Sequence, residues 1–178
     1  MAGMPRRTDS PPGRARVLVT LAALAGLALP VSLAPRPLQA GEASQAASPE
    51  MVRAVSHRQT ELRRLGAAMR VIGRFLKSEG ANVADVGASA EVIRAVASGL
   101  NRDLFPEGTA IGVGRSAARP EIWQEWDIFR ERARSLEAAS SRLIAAAATG
   151  NAEAVREPIQ AVGHACGACH ELFRRKQP

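Results

Sequence analysis

The segment VREPIQAVGHACGACHELF, Val155 to Phe173, decides how this chain folds. Val155, Ile159, Val162, Cys166, Cys169 and Phe173 recur at alternating spacings of four and three, which puts them on one stripe of an α-helix. Both cysteines of the protein lie on that stripe, and His170 follows the second directly. Pro158 falls within two turns of the start, where it kinks the helix or shifts its true beginning. Just upstream, Thr149-Gly150-Asn151 is a break, and Asn151 is placed to cap this last helix.

The same periodicity runs back along the chain. A third helix opens at Pro120, with Ile122, Trp126, Phe129, Ala133, Leu136, Ser140, Leu143 and Ala147 as its seam. Before it, FPEGTAIGVGRSAARP (Phe105 to Pro120) is rich in glycine and closed by proline. A loop that long in a compact domain has something to cover or bind. A second helix is predicted from about Ala88 to Leu104, with Ile93, Val96, Leu100 and Leu104 on one side. The first begins at Ser48-Pro49, an N-cap followed by proline. Its predicted seam is Val52, Val55, Gln59, Leu62, Gly66, Met69, Gly73 and Leu76, and it stops near Ser78-Glu79-Gly80. Four amphipathic helices in succession predict an all-α fold, an antiparallel up-down-up-down four-helix bundle. Its core is short of bulk: the chain has four Phe, two Trp and no Tyr, and much of the seam is Ala, Gly or Ser. Such a bundle either packs its helices closely or leaves room for a flat apolar guest.

The 178 residues divide unevenly. Residues 1–40 read as a cleaved export signal: an arginine-rich start, the apolar run VLVTLAALAGLALPVSLA from Val17 to Ala34, and a small residue, Ala40, at the cleavage point. The run is borderline for a membrane span and Pro30 interrupts it, so no stable membrane anchor is expected after processing. Arg6-Arg7 is only a weak twin-arginine signal. Residues 41–178 form the single mature domain. The formal net charge of +7 owes much to five leader arginines set against Asp9 alone. Arg63-Arg64 and Arg174-Arg175-Lys176 read as solvated helix faces, so no nucleic-acid partner is expected.

Cys166-x-x-Cys169-His170 is the attachment sequence of c-type haem. Two thiols one helical turn apart can each add to a vinyl group on one edge of the porphyrin. The imidazole that follows reaches the iron as a neutral nitrogen donor. Three other readings compete. A redox-active Cys-x-x-Cys belongs at a helix N-terminus after a strand. A structural zinc site needs a second pair of ligands, and none is evident; His164 points largely away from His170. A disulfide between i and i+3 of a continuous helix is strained. His57 and His164 read as surface or rim residues rather than second axial ligands.

The mature chain resembles the cytochromes c′, the class II c-type cytochromes. The resemblance is carried by ARPEIW (Ala118 to Trp123) and VGHACGACHELFRRK (Val162 to Lys176), with HRQTEL (His57 to Leu62) and LFPEGT (Leu104 to Thr109) also fitting. It implies one haem c on the last helix of the bundle, joined by thioethers to Cys166 and Cys169, with His170 as the axial iron ligand. It implies that Arg58 and Gln59 meet the haem propionates and that Arg174 lines the proximal pocket. Phe105 and Trp123 fall at aromatic positions that serve either the pocket or the core. Leu62 aligns with the residue over the distal face of the iron, where low-spin relatives carry methionine. Leucine has no lone pair, which implies five-coordinate, high-spin iron; Met69, seven residues on, is about 10 Å further along the axis. Where the family often has a polar or acidic residue before ARPEIW, this chain has Ala117 beside Ser116.

The function implied is that of a periplasmic electron carrier and binder of small gas ligands, NO and CO, and not an enzyme. It would hold O2 poorly. A redox partner protein, unidentified by the sequence, and homodimerisation follow from the same resemblance. The alternatives are a low-spin, six-coordinate carrier and, from different classes, a thiol redox protein or a zinc-stapled helical module.

Overall fold

The computed structural model describes residues 47–176. The export signal assigned to residues 1–40 lies outside them. Five helices follow in order: α1 (Pro49–Leu76), α2 (Val83–Ser98), α3 (Glu121–Gln124), α4 (Trp126–Ala147) and α5 (Arg156–Phe173). No described helix is long and apolar enough to cross a membrane.

Two buried clusters fix the topology. One joins Ala68 and Ile72 of α1, Val86 and Ala90 at the start of α2, Leu143 and Ala147 at the end of α4, and Val155 and Ile159 at the start of α5. The other joins Val96 and Leu100 near the end of α2, Phe129 and Ala133 in the first half of α4, and Phe173 at the end of α5. Thus α1 runs towards the first cluster, α2 away from it, α4 towards it and α5 away. That is the predicted up-down-up-down bundle, with α3 as a one-turn prelude to α4.

Small side chains bring α2 and α4 close. A Cβ added at Gly87 would stand 3.2 Å from that of Ala147. Direct packing runs α1 to α2, α2 to α4 and α4 to α5; α1 and α5 make no comparable contact. The small-residue core therefore packs closely between α2 and α4, while α1 and α5 make no comparable contact.

Four expected boundaries are corrected. α2 starts earlier than Ala88 because Asn82 and Asp85 form a capping box, Asn82 Oδ1 accepting from Asp85 N–H at 3.1 Å and Asp85 Oδ2 from Asn82 N–H at 2.8 Å. It ends at Ser98, and Asn101 Oδ1 then accepts from the amides of Asp103 and Leu104, so Leu100 and Leu104 are buried from a turn. The third predicted helix is broken at Glu125 (φ −118°, ψ 45°), which separates α3 from α4. Asn151 does not cap α5; it accepts from Glu153 N–H in the preceding turn, and α5 begins at Arg156 with Pro158 in its first turn, where no amide donor is needed.

The first helix begins as expected, with Ser48 Oγ accepting from Met51 N–H at 3.2 Å. Its predicted seam is rotated: Val55, Arg58, Ala68 and Ile72 are buried, whereas Val52, Leu62 and Leu76 are exposed. A helix packed mainly on one neighbour buries only the stripe facing that neighbour. α1 closes as a Schellman turn, Glu79 N–H to Arg74 O at 2.8 Å and Ser78 N–H to Phe75 O at 3.1 Å, with Ser78 itself at φ 59°.

Candidate functional site

The last half of α5 carries the Cys-x-x-Cys-His sequence along the border between the two clusters. Cys166 packs against the first and Cys169 against the second, and both are half-buried free thiols. Burial raises the Cys166 thiol above its usual value, offset in part by its own backbone amide. Burial, reinforced by Cys166, pushes Cys169 up to about 11 against the opposing pull of Arg132. Both are therefore neutral thiols at physiological pH. A redox-active pair needs the reverse, a thiolate stabilised by its surroundings. Burial lowers the His170 imidazole, and the Arg174 guanidinium lowers it further, so its nitrogens are available as neutral donors. Among the described residues, no three His, Cys, Asp or Glu side chains are grouped to hold a bare metal ion.

Leu62, expected over the iron, lies on α1, a helix that makes no comparable packing contact with α5. It belongs to neither cluster and is 38% exposed. The methionines of the described chain are committed elsewhere: Met69 packs on the first cluster, and Met51 reaches the loop at Gly108.

Arg58 and Gln59 are drawn together with Phe105, but through the loop between α2 and α3. Arg58 is buried, donating from Nη1 to Thr109 Oγ1 at 2.8 Å and from Nη2 to Thr109 O at 2.8 Å and Ser116 Oγ at 2.9 Å. Its guanidinium lies 4.7 Å from the centre of the Phe105 ring, and burial lowers its pKa to about 10. Gln59 Nε2 donates to Arg115 O at 2.7 Å. Phe105 itself is a core residue, edge-on to Phe129 at 4.9 Å, and Trp123 Nε1 donates to Phe105 O. Arg174 is tied by its backbone to the same loop: Ala118 and Arg174 form an isolated antiparallel bridge, with Arg119 N–H donating to Phe173 O at 3.0 Å and Arg175 N–H to Ala117 O at 2.9 Å.

Sequence reasoning missed Thr109 and Arg132. Thr109 is fully buried and satisfies Arg58; the signal was an arginine on the stripe of Val55 and Ala68, since a buried guanidinium demands acceptors. Arg132, near Cys169, has a buried Nε with no partner among the described residues. Its position in the charged run Arg130-Glu131-Arg132 gave no such signal.

The donor set fits a covalently held haem. Two neutral thiols one turn apart and a neutral imidazole beside them lie on a helix that makes no comparable contact with α1. Comparison with known proteins gives the same direction. The family model described as Cytochrome C' matches residues 53–174. The chain is 33% identical to cytochrome c-554 of Cereibacter sphaeroides over 84% of its length and 95% of the relative's. It is 32% identical to cytochrome c' of Rhodospirillum rubrum over 74% of its length and 86% of the relative's. Among solved structures, cytochrome c' from Thermochromatium tepidum superposes with a TM-score of 0.62 at 31% identity, covering 71% of this chain and 97% of that one. A cytochrome c' with an unusual ligand-controlled dimer dissociation gives 0.63 at 32% identity, covering 73% and 100%. Nitric oxide and carbon monoxide complexes of cytochrome c prime variants from Alcaligenes xylosoxidans also superpose, at 27% to 29% identity and TM-scores near 0.6.

Proposed function

The chain belongs to the cytochrome c' family, and on that premise we propose that it is a periplasmic monohaem cytochrome that transfers single electrons and binds NO and CO at five-coordinate, high-spin iron. When bound, haem c supplies the one-electron couple and an open coordination position for a neutral diatomic. The polypeptide supplies everything else. Cys166 and Cys169 would hold the porphyrin edge through two thioethers one turn apart. His170 would give the iron its axial nitrogen, kept neutral by burial and by Arg174.

On the facing helix Leu62 would cover the opposite side of the iron. It offers no lone pair and no proton donor, so it admits a small neutral ligand and gives a polar Fe–O2 unit nothing to bond with. Met51 and Met69, engaged elsewhere, support five-coordination over the low-spin alternative. Arg58 would place positive potential beside the carboxylate edge while holding the loop, and Gln59 would do so as an amide. Such a protein carries electrons and ligands rather than catalysing a reaction. The relative with ligand-controlled dimer dissociation supports a homodimer here.

One observation carries the reading: two neutral thiols one turn apart and a neutral imidazole beside them on α5, in the order that c-type haem attachment needs. Intact mass and a pyridine haemochrome spectrum test it. The expected result is the mature polypeptide plus one haem, with a high-spin ferric spectrum. A mass equal to the polypeptide alone overturns the covalent haem, and a methionine–sulfur band overturns the role of Leu62. Tight, reversible O2 binding by the ferrous protein overturns the ligand selectivity.

A further inference from the structure

We propose that Ser116 and Thr109 are positioning residues for gas-ligand entry: they fix, through Arg58, the loop that sets how far α1 stands from α5. The inference rests on the haem reading above. Because α1 and α5 make no comparable contact with one another, helix packing sets their separation only indirectly, through α2 and α4. One segment is bonded to both. On the α1 side, the Arg58 guanidinium donates to Thr109 and Ser116. On the α5 side, residues 117–119 pair with 173–175. The Ser116 hydroxyl joins the two anchorages: its oxygen accepts from Arg58 Nη2 at 2.9 Å and from Ala118 N–H at 3.2 Å, and it donates to Thr109 O at 2.8 Å.

The strap ends close to both sides of the iron site. Leu62 is one helical turn beyond Arg58. Arg174 follows His170 by one turn, and its N–H donates to His170 O at 3.1 Å. A strap of this kind holds the helix bearing Leu62 at a set distance from the helix bearing His170. Removing the Ser116 hydroxyl separates the Arg58 anchorage from the Ala118 anchorage. α1 can then lean away from α5, and Leu62 covers the iron less closely.

The test uses the haem-loaded protein and CO as the probe. The CO association rate is measured after flash photolysis for the parent, Ser116→Ala, Ser116→Thr, Thr109→Val and Leu62→Ala, beside hydrogen exchange at the Arg119 and Arg175 amides. Ser116→Ala should bind CO several-fold faster and exchange those amides faster, and Ser116→Thr, which restores a hydroxyl, should return both to the parent values. Thr109→Val, which keeps Ser116, should move both in the same direction by less, and stands in if Ser116→Ala does not mature. Parent-like CO rates in both strap variants, with Leu62→Ala faster, overturn the strap and leave the haem reading standing. A parent-like rate in Leu62→Ala overturns the distal role of Leu62 and the effect of the strap with it.

Discussion

Leu62 and Cys169 show how much of this protein's chemistry depends on what single side chains lack. On the proposed reading, leucine at position 62 would offer the iron no electron pair, so the coordination number would turn on one sulfur atom. Leu62→Met should convert the high-spin ferric spectrum to a six-coordinate, low-spin one and slow CO binding; an unchanged spectrum would show that position 62 does not face the iron. Being 38% exposed, the site should accept this change with little effect on stability. Cys169 lacks a stabilised thiolate. Its folded value of about 11 lies above the ordinary 9.0, so the folded state keeps a proton that the unfolded chain has already released. The resulting stabilisation is full below pH 9.0 and is lost as the pH rises through about 11. Polypeptide with unmodified cysteines should therefore lose denaturant resistance across that window, and Cys169→Ala polypeptide should lose less. Matured protein, whose sulfurs the proposed haem would take up in thioethers, should not show this component.

At the scale of the helix, the ends matter more than the middles. The Asn82–Asp85 capping box begins α2 well before the apolar periodicity becomes visible, and Asn101 turns Leu100 and Leu104 inward after the helix has finished. α1 ends less favourably, because Ser78 takes the left-handed conformation at φ 59° that glycine adopts without a steric penalty. Ser78→Gly should raise stability by about 0.5–1 kcal/mol, read as an increase in the thermal midpoint. The seam of α4 from Phe129 to Ala147 was legible because that helix is covered by α2 and α5 and buries each residue the periodicity selects. The seam of α1 was not, because periodicity reports an apolar stripe without reporting which neighbour will cover it.

Across the whole molecule, two clusters share the work of holding four long helices. The second centres on Phe129, which meets Phe105 at 4.9 Å, Trp126 at 5.3 Å and Phe173 at 5.5 Å and so ties the loop, α4 and the end of α5 together. Phe129→Ala should destabilise the protein by about 3–5 kcal/mol in chemical denaturation, since the surrounding rings belong to three separate segments and cannot collapse into the space together. The sequence by itself determined the helical class, the order of the helices and the Cys166, Cys169 and His170 constellation, because each rests on spacing along one continuous helix. It also pointed to Arg58, Gln59 and Leu62 through family resemblance. Only the tertiary structure decided that Arg58 and Gln59 hold the loop, that Thr109 and Ser116 answer them, and that α1 and α5 stand apart. Those facts depend on which surfaces meet across more than fifty residues of chain, and helical periodicity carries no record of a partner that distant.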